Sequence, residues 1–401
     1  MLPLCIRCKG KGLCGKPCPI LNRMNEHKKE IMKIKNEFAG SSVAPFIGYH
    51  GYPKVNLGIL APAQLSTDAW MLDAPSYWYS AGYDIEKIIN ARSMLINSRD
   101  TSSVILPKGR LVDIAQEIAM SSAPVDADFF LKKSPRPSIS LDIRAPPIGA
   151  PAQLEKVELS SEPKIPRAID YVVNDDLSAC GAVQELYKRE LDVNQIIKII
   201  SVGLLGMKKR LVPTRWSITA VDDMVSKDLV GRIKDYPKIS SFELFSNEYL
   251  GNHFEILLMP SEWKFEVIEG KMPGSCWNPA GNETYIYSDW ERHFGRKDYA
   301  SEVTGAYYSA RLGVCEHLCR RKKQAAVLIL REVKPEYMVP CGVWVIREAV
   351  RNAFSKKPEI FNSLDESLNR AFSRITLPKK SIFRVSLIMR EFKLQKKLTD
   401  F

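Results

Sequence analysis

The spacing of apolar residues along the chain predicts a mixture of helices and strands. Apolar positions recur three and four residues apart, as on one face of a helix, in the segments 21–38, 84–98, 109–122, 177–191, 192–206, 301–322 and 341–355. Alternating or continuous apolar runs, which are typical of strands, occupy 42–48, 54–60, 137–142, 154–160, 243–250, 253–260, 263–270, 325–333 and 381–392. Because these segments follow one another in no regular βαβ order, the pattern predicts an α+β fold.

Local signals add detail to several of these elements. The strands at 42–48 and 54–60 flank a Gly-Tyr-Pro turn, and Asp84 is expected to cap the helix that follows it. The three strands between residues 243 and 270 are expected to form a meander. The helix at 21–38 carries basic residues away from its apolar face, so it is predicted to be a basic amphipathic helix.

The chain is predicted to divide into four parts. Its 401 residues are enough for two to three folding units. A proline-rich stretch from Ser134 to Pro166 either separates two lobes or forms an extended edge, and we place a boundary near residue 170. The predicted parts are a cysteine-rich knuckle at 1–20, the first part of an α+β body at 21–170, its second part at 171–392, and a terminal peptide at 393–401.

The composition is that of an ordinary globular protein, but the charge is concentrated at the two ends. Hydrophobic residues make up 45% and charged residues 26% of the chain, which argues against disorder. No apolar run approaches the ~20 residues of a membrane span, and the clustered cysteines suit reduced thiols, so an intracellular protein is expected. The formal net charge is +12, and it lies in residues 1–35 and 374–401. Such ends either contact a polyanion or serve solubility alone.

Four cysteines near the N-terminus predict a metal site. Cys5, Cys8, Cys14 and Cys18 have the spacing C-x2-C-x5-C-x3-C and supply four thiolates, the ligand set of a closed, structural zinc site. Iron–sulfur clusters use the same ligands and are the rival cofactor. The basic side chains predicted to contact nucleic acid from the knuckle and the following helix are Lys9, Lys11, Lys16, Arg23, Lys28 and Lys29.

The last seven residues match a peptide that binds the DNA sliding clamp PCNA. Gln395, Leu398 and Phe401 follow the pattern Q-x-x-L-x-x-F. In a 3₁₀ turn residues three apart lie on one side, so Leu398 and Phe401 can enter an apolar pocket together. The alternative is that Phe401 folds back onto the body of the protein.

Two internal segments carry side chains suited to catalysis, but neither contains a firm catalytic motif. The candidate residues are Arg215, Asp222 and Asp223 in 212–223, and Asp289, Glu291, Arg292 and His293 in 287–296. Paired carboxylates can hold Mg²⁺ for phosphodiester chemistry, and a histidine can move protons. The competing interpretation is that the aspartates cap a helix and that the acids pair with the arginines.

Other noteworthy residues are better explained as parts of the core. Cys315 and Cys319 share a helix face that His317 does not, which favours buried thiols over a second metal site. Large aromatic residues of the body can stack on unpaired bases, although such side chains more often belong to the core; they are Trp70, Tyr77, Trp78 and Trp216.

These features together resemble the archaeal Nre family of DNA repair proteins. The resemblance is carried by the N-terminal cysteines, the terminal peptide and the blocks 212–223, 275–291, 305–318 and 339–354, and it covers nearly the whole length. It implies an archaeal source, a cytoplasmic and nucleoid-associated location, a role in the response to DNA damage, and contact with PCNA through Gln395, Leu398 and Phe401. It does not imply a reaction.

The sequence therefore supports two functional hypotheses. The preferred one is a DNA repair protein that PCNA recruits through the terminal peptide, with a zinc knuckle that assists contact with DNA. The alternative is an RNA- or nucleotide-modifying enzyme whose knuckle grips RNA.

Overall fold

The protein forms two compact units, each built around a six-stranded sheet. The computed structural model describes residues 3–8, 11–13, 15 and 18–394. The N-terminal unit comprises residues 5–225 with 340–342, and the C-terminal unit comprises residues 1–4, 226–339 and 343–401. Within the described residues, no helix has both the length and the apolar character needed to cross a membrane.

The N-terminal unit contains most of the short helices. They are α1 (Leu4–Cys8), α2 (Pro19–Lys33), α3 (Pro75–Ser80), α4 (Ile85–Ser93), α5 (Arg110–Met120), α6 (Arg167–Val173), α7 (Ala179–Lys188) and α8 (Val193–Ser201). Its strands are β1 (Glu37–Ser42), β2 (Ala44–Ile47), β3 (Lys54–Pro62), β4 (Leu95–Ser103), β5 (Val125–Lys133) and β6 (Ala150–Leu159). A 3₁₀ helix spans Ala69–Asp73, and α9 (Thr214–Ile233) contains the division between the units.

The sheet of the N-terminal unit has the order β1-β5-β6-β4-β3-β2. All neighbouring strands are antiparallel except β4 and β6, which are parallel. Along β5 the buried positions alternate with less buried ones, so one face of the strand lies in the core. Ile114 and Ile118 of α5 contribute to the same core as Phe129 of β5. The core therefore lies between this face of the sheet and the amphipathic helix α5.

Most elements predicted for this unit are confirmed, but several differ. The strand predicted at 137–142 is reduced to an isolated bridge between Ser140 and Ile148, and the helix predicted at 21–38 ends at Lys33, because Phe38 belongs to β1. Asp84 caps α4 by accepting a hydrogen bond from the backbone N–H of Lys87, as expected. The predicted helix 84–98 is nevertheless too long, because Leu95 and Ile96 begin the buried strand β4. An apolar pattern cannot separate a short buried helix from the strand that directly follows it. Near the N-terminus, residues 4–8 form the helical turn α1 where a loop was predicted.

The C-terminal unit contains the second six-stranded sheet and the helices that follow α9. Its strands are β7 (Phe242–Tyr249), β8 (Asn252–Met259), β9 (Lys264–Lys271), β10 (Tyr285–Glu291), β11 (Ala326–Val333) and β12 (Glu359–Phe361). Its helices after α9 are α10 (Gly305–Arg321), α11 (Trp344–Ala353), α12 (Leu364–Phe372), α13 (Lys379–Val385) and α14 (Leu387–Leu394).

The sheet of this unit corrects the predicted meander. The strand order is β10-β9-β11-β8-β7-β12, so β11 lies between β8 and β9. It runs antiparallel to β8 and parallel to β9. Every residue of β11 is buried, which explains its central place, since both of its faces are covered. The pairing of β7 with β8 is as expected, but β8 and β9 are not neighbours.

The segment 381–392 is helical and not the strand that was predicted. It forms α13 and α14, and Ser386 stands between the two helices. Ile382, Ile388 and Met389 are buried against the sheet core, where they meet Leu257 and Leu328. The apolar spacing in this segment therefore arises from two short helices that each bury one side.

Candidate functional site

The predicted zinc ligands lie around α1 and the start of α2. Cys5 and Cys8 are in α1, Cys18 precedes the first residue of α2, and Cys14 lies outside the described residues. The backbone N–H of Leu13 donates to Sγ of Cys8 at 3.3 Å, a contact that suits a thiolate. Within residues 3–8, 11–13, 15 and 18–394, no three His, Cys, Asp or Glu side chains are gathered closely enough to hold a metal ion. The chemistry of the thiolates fits zinc, but the described cysteines are not drawn together.

The basic residues predicted to contact nucleic acid lie in and after the same region. Lys11 is exposed, as are Lys28 and Lys29 on α2, and Arg23 belongs to the same helix. Lys9 and Lys16 lie outside the described residues. The helix is therefore basic and amphipathic, as expected, with Ile20 and Ile31 buried on its other side.

The first group of catalytic candidates lies on α9. Arg215 pairs with Asp142 at 3.5 Å, and its guanidinium lies over the ring of Tyr49, 4.2 Å from the centroid. Asp222 is fully buried and Asp223 is half-buried. Both aspartates lie in the middle of a 20-residue helix, so the expectation that they cap its start is wrong.

The second group of candidates lies at the end of β10 in the C-terminal unit. Asp289 accepts hydrogen bonds from the backbone N–H groups of Glu302 and Val303 and pairs with Arg296 at 3.0 Å. His293 lies 3.9 Å from the carboxylate of Glu262. The structure thus places Asp289 in an ion pair.

The neighbouring acid and base of this group are also paired. Glu291 accepts from the indole N–H of Trp263 at 3.0 Å and pairs with Arg311 at 2.7 Å. Arg292 pairs with Glu391 of α14 at 2.9 Å. These contacts match the ion-pair interpretation of the segment.

Of the two cysteines of α10 that were predicted to be buried thiols, Cys315 is buried and Cys319 is half-buried. Cys315 is fully buried, and burial raises the pKa of its thiol well above the ordinary value. Cys319 donates to the carbonyl of Leu229 at 3.5 Å. His317 instead stacks on Phe354 with a centroid distance of 4.1 Å, and burial together with Arg321 lowers its pKa to about 3. A neutral histidine in an aromatic stack fits a place in the core.

The described N-terminal unit contains a pocket that the sequence did not reveal. We call this cavity of about 360 Å³ the Trp70 pocket. Its lining includes Trp70, Asp73, Tyr77, Ser121, Gln195 and Lys198. Trp70 is 40% exposed and meets Tyr77 edge to face, with ring centroids 4.9 Å apart.

A chain of three charged groups begins at the Trp70 pocket, whose lining includes Asp73 and Lys198. Asp73 pairs with Lys198 at 2.9 Å and with Arg92 at 2.6 Å. Arg92 is 2% exposed, and burial lowers its pKa while Asp73 opposes that effect. Arg92 also donates to the carbonyls of Pro147 and Leu72, so this cation is held in place on several sides.

A second cavity of about 450 Å³ lies along the same helices, and we call it the Tyr83 pocket. Its lining includes Gln64, Asp68, Tyr83, Lys87 and Asn90. Tyr83 lies 5.8 Å from Tyr77, measured between ring centroids. A row of three aromatic side chains, Trp70, Tyr77 and Tyr83, therefore connects the two pockets.

Weak sequence signals pointed to parts of these pockets. The sequence favoured a core position for the large aromatic residues over stacking on bases; this is correct for Trp78, which has no exposed surface, and wrong for Trp70, which is 40% exposed. Arg92 and Lys198 each interrupt the apolar face of a helix, in IEKIINAR and NQIIKII. A charged side chain inside such a face requires a partner, and both residues find it in Asp73.

The chain matches family models and curated relatives over most of its length. Residues 13–278 match the model described as "Archaeal Nre, N-terminal", and residues 291–401 match "Archaeal Nre, C-terminal". The DNA repair protein NreA of Archaeoglobus fulgidus is 38% identical over 92% of this chain and 93% of its own length.

Two further relatives agree with this assignment. The DNA repair protein NreA of Haloferax volcanii is 37% identical over 83% of this chain and 82% of its own. The DNA repair protein NreB of Archaeoglobus fulgidus is 34% identical over 91% of each. No solved structure matches the chain significantly. From the two family models and the identity with these relatives, the chain belongs to the archaeal Nre family.

Proposed function

We propose that this protein acts in DNA repair and that PCNA recruits it through Gln395, Leu398 and Phe401. The repair role rests on family membership, since all three relatives that match nearly end to end are named DNA repair proteins. The terminal residues lie outside the described residues, so the clamp contact rests on their pattern. Basic side chains at both ends of the chain suit the approach to DNA.

The helix that precedes the terminal peptide supports this proposal. Glu266 of β9, which is fully buried, accepts hydrogen bonds from Ser386 Oγ and from the N–H groups of Leu387 and Ile388. Farther along α14, Glu391 pairs with Lys264 at 2.8 Å. The first turn and the middle of α14 are therefore both bonded to the sheet. The terminal peptide follows this helix directly in the sequence.

Removal of the terminal aromatic residue tests the recruitment. Phe401→Ala is expected to weaken binding to PCNA by about 30-fold or more, because a buried aromatic anchor contributes about 2 kcal/mol or more to such an interface. Calorimetric titration of PCNA with the full chain measures this effect. Lys393→Ala, just outside the seven-residue pattern, is the matched control and should retain binding. Equal affinity of Phe401→Ala and the unaltered protein would refute the role of the peptide.

We further propose that Cys5, Cys8, Cys14 and Cys18 bind one structural zinc ion and that the folded knuckle assists contact with DNA. Four thiolates leave no open coordination position, so the ion supplies folding energy and no catalysis. The exposed Lys11, Lys28 and Lys29 then lie on or beside a segment with a fixed conformation. Contact through these lysines predicts a binding constant for DNA that falls with salt.

Metal analysis tests the zinc proposal. The purified protein is expected to be colourless and to hold one equivalent of zinc. Cys18→Ser should lose the metal, whereas Cys180→Ser, at an exposed cysteine of α7, should retain it. If the purified protein is brown and contains iron, the four cysteines hold an iron–sulfur cluster and the zinc proposal is wrong.

A further inference from the structure

The Trp70 pocket has the size and the wall of a site for a flat ring. Its volume of about 360 Å³ lies within the range of small-molecule sites. Trp70 is 40% exposed, and Tyr77 supports it edge to face, so part of the indole is available to a stacking partner. The indole N–H of Trp70 has no hydrogen-bond partner among the described residues. These features suit an aromatic ring that also carries hydrogen-bond acceptors.

Hydrogen bonds from neighbouring side chains fix the backbone segment that carries Trp70. The 3₁₀ helix Ala69–Asp73 carries both Trp70 and Asp73. Its carbonyl at Met71 accepts a hydrogen bond from the buried Trp78, and its carbonyl at Leu72 accepts one from Arg92. A ligand would therefore meet side chains that are already in position, which lowers the entropy lost on binding.

Lys198, in the lining of the Trp70 pocket, offers a hydrogen-bond donor. Lys198 uses one N–H for the carbonyl of Val43 at 3.0 Å and pairs with Asp73 at 2.9 Å. A lysine ammonium has three N–H groups, so one remains for a ligand oxygen. Because Asp73 also pairs with Arg92, Lys198 is not required to neutralise that carboxylate alone.

The balance of charge favours recognition of a base over recognition of phosphates. The charged side chains that line the two pockets are the cations Lys87 and Lys198 and the acids Asp68, Asp73 and Asp192. Two cations against three acids give no net attraction for a polyanion. A ligand must therefore gain its affinity from stacking and from hydrogen bonds to its ring.

The neighbouring Tyr83 pocket favours a strand over a free nucleotide. The row of Trp70, Tyr77 and Tyr83 places aromatic rings at both cavities. Stacking on successive aromatic side chains is how proteins hold single-stranded nucleic acid. We propose that the Trp70 pocket binds an unpaired base of a DNA strand, stacked against Trp70, with Lys198 donating to a carbonyl oxygen of the base. The choice of DNA as the strand rests on the proposed repair function.

Binding of labelled single strands to the full-length protein, without PCNA, tests the inference. The probe is a fluorescein-labelled 12-nucleotide oligo-dT, followed by anisotropy. Trp70→Ala should weaken its binding by about tenfold, the effect of losing one stacked base, and Trp70→Phe should restore most of it. Trp216→Ala is the matched control, because Trp216 is 43% exposed in the same unit and lines neither pocket.

The chemistry of the base gives a second readout. Lys198→Met should reduce the affinity for oligo-dT more than that for oligo-dA, because adenine has no carbonyl oxygen. The salt dependence lost with Trp70→Ala should be small, since the lining of the pocket has no excess of cations. Both effects are independent of PCNA, so a failure of the clamp proposal leaves them unchanged.

Several outcomes would overturn the inference. If Trp70→Ala binds oligo-dT as the unaltered protein does, or if Trp216→Ala loses as much affinity, the Trp70 pocket is not the site. If dTMP alone competes with the same affinity as the 12-mer, the pocket serves free nucleotides. If oligo-rU binds more tightly than oligo-dT, the strand is RNA, which would also favour the RNA-modifying alternative.

Discussion

The two units of the protein both bury arginine side chains, but they surround them differently. In the C-terminal unit Arg311 pairs with Glu291, which is 2% exposed and also accepts a hydrogen bond from Trp263. In the N-terminal unit Arg92 pairs with Asp73, whose second oxygen meets Lys198 in the lining of an open pocket. The first network is closed to solvent, and the second ends at a surface.

This difference separates groups that hold the fold from groups able to meet a ligand. In the closed network the two oxygens of Glu291 already have donors, so a substrate finds no free position there. In the open network Lys198 lines a cavity and uses two of its three N–H groups for Val43 and Asp73. Charged residues gathered in one sequence segment are thus weaker evidence for a site than charged residues that line a pocket.

The matched substitutions Arg311→Met and Lys198→Met test this contrast with the largest expected effect. Arg311→Met removes the ion-pair partner of the buried carboxylate of Glu291, which should reduce the free energy of unfolding by about 3–5 kcal/mol. Lys198→Met leaves Asp73 paired with Arg92 beside open solvent, so a loss of about 1 kcal/mol or less is expected. Urea unfolding followed by tryptophan fluorescence measures both.

Because the protein has two units, circular dichroism and fluorescence should both be followed, and coincident transitions are needed before a single free energy is assigned. Equal destabilisation by the two substitutions would show that the Arg92–Asp73–Lys198 chain is as closed as the Arg311–Glu291 pair. The proposed role of Lys198 in ligand binding would then lose its structural basis.

The fold was predictable wherever the apolar pattern belongs to one element alone. The helices α5 and α8 follow from the spacing of their apolar residues, and the strand β11 follows from its continuous apolar run. The segment 381–392 was not, because two short helices joined at Ser386 produce a run of apolar residues that resembles a strand. The place of β11 between β8 and β9 was also hidden, since strand order depends on contacts between distant residues.

The candidate site was predictable only in part for a similar reason. The sequence identifies Trp70 and Tyr77 as aromatic residues, but not that one lies exposed beside a cavity while Trp78 is fully buried. Asp73, Arg92 and Lys198 are far apart in sequence and meet only through the 3₁₀ helix, α4 and α8. The signal in the sequence was a single charged residue within an apolar helix face. Such a residue indicates that a partner of opposite charge lies nearby, but the sequence does not identify that partner.

Two buried histidines of the C-terminal unit make its stability depend on pH. Burial, followed by the charges of Arg321 and Arg320, lowers the pKa of His317 to about 3. His253 behaves in the opposite way: burial lowers its pKa, but hydrogen bonds to Glu255 and Glu248 outweigh burial and raise it. His317 therefore contributes stability that is present above pH 6.5 and is lost in acid, whereas the contribution of His253 is present below pH 6.5 and is lost as the pH rises through its folded pKa.

Replacement of His317 by a side chain that does not titrate tests how closed the C-terminal unit is. The expected change in the free energy of unfolding is smaller than that of Arg311→Met. Between pH 6.5 and about 3 the unfolded chain binds a proton that the folded His317 refuses, so the free energy of unfolding should fall by about 1.4 kcal/mol per pH unit, or about 2 kcal/mol at pH 5. His317→Phe keeps the stacking on Phe354 and should remove that part of the acid loss, as measured by urea unfolding at pH 7 and pH 5. His50→Gln, at an exposed histidine of the N-terminal unit, should leave the difference between the two pH values unchanged. If His317→Phe loses as much stability between pH 7 and pH 5 as the unaltered protein, the ring is solvated well enough to accept a proton, and its surroundings are less closed than the contacts with Phe354 and Arg321 indicate.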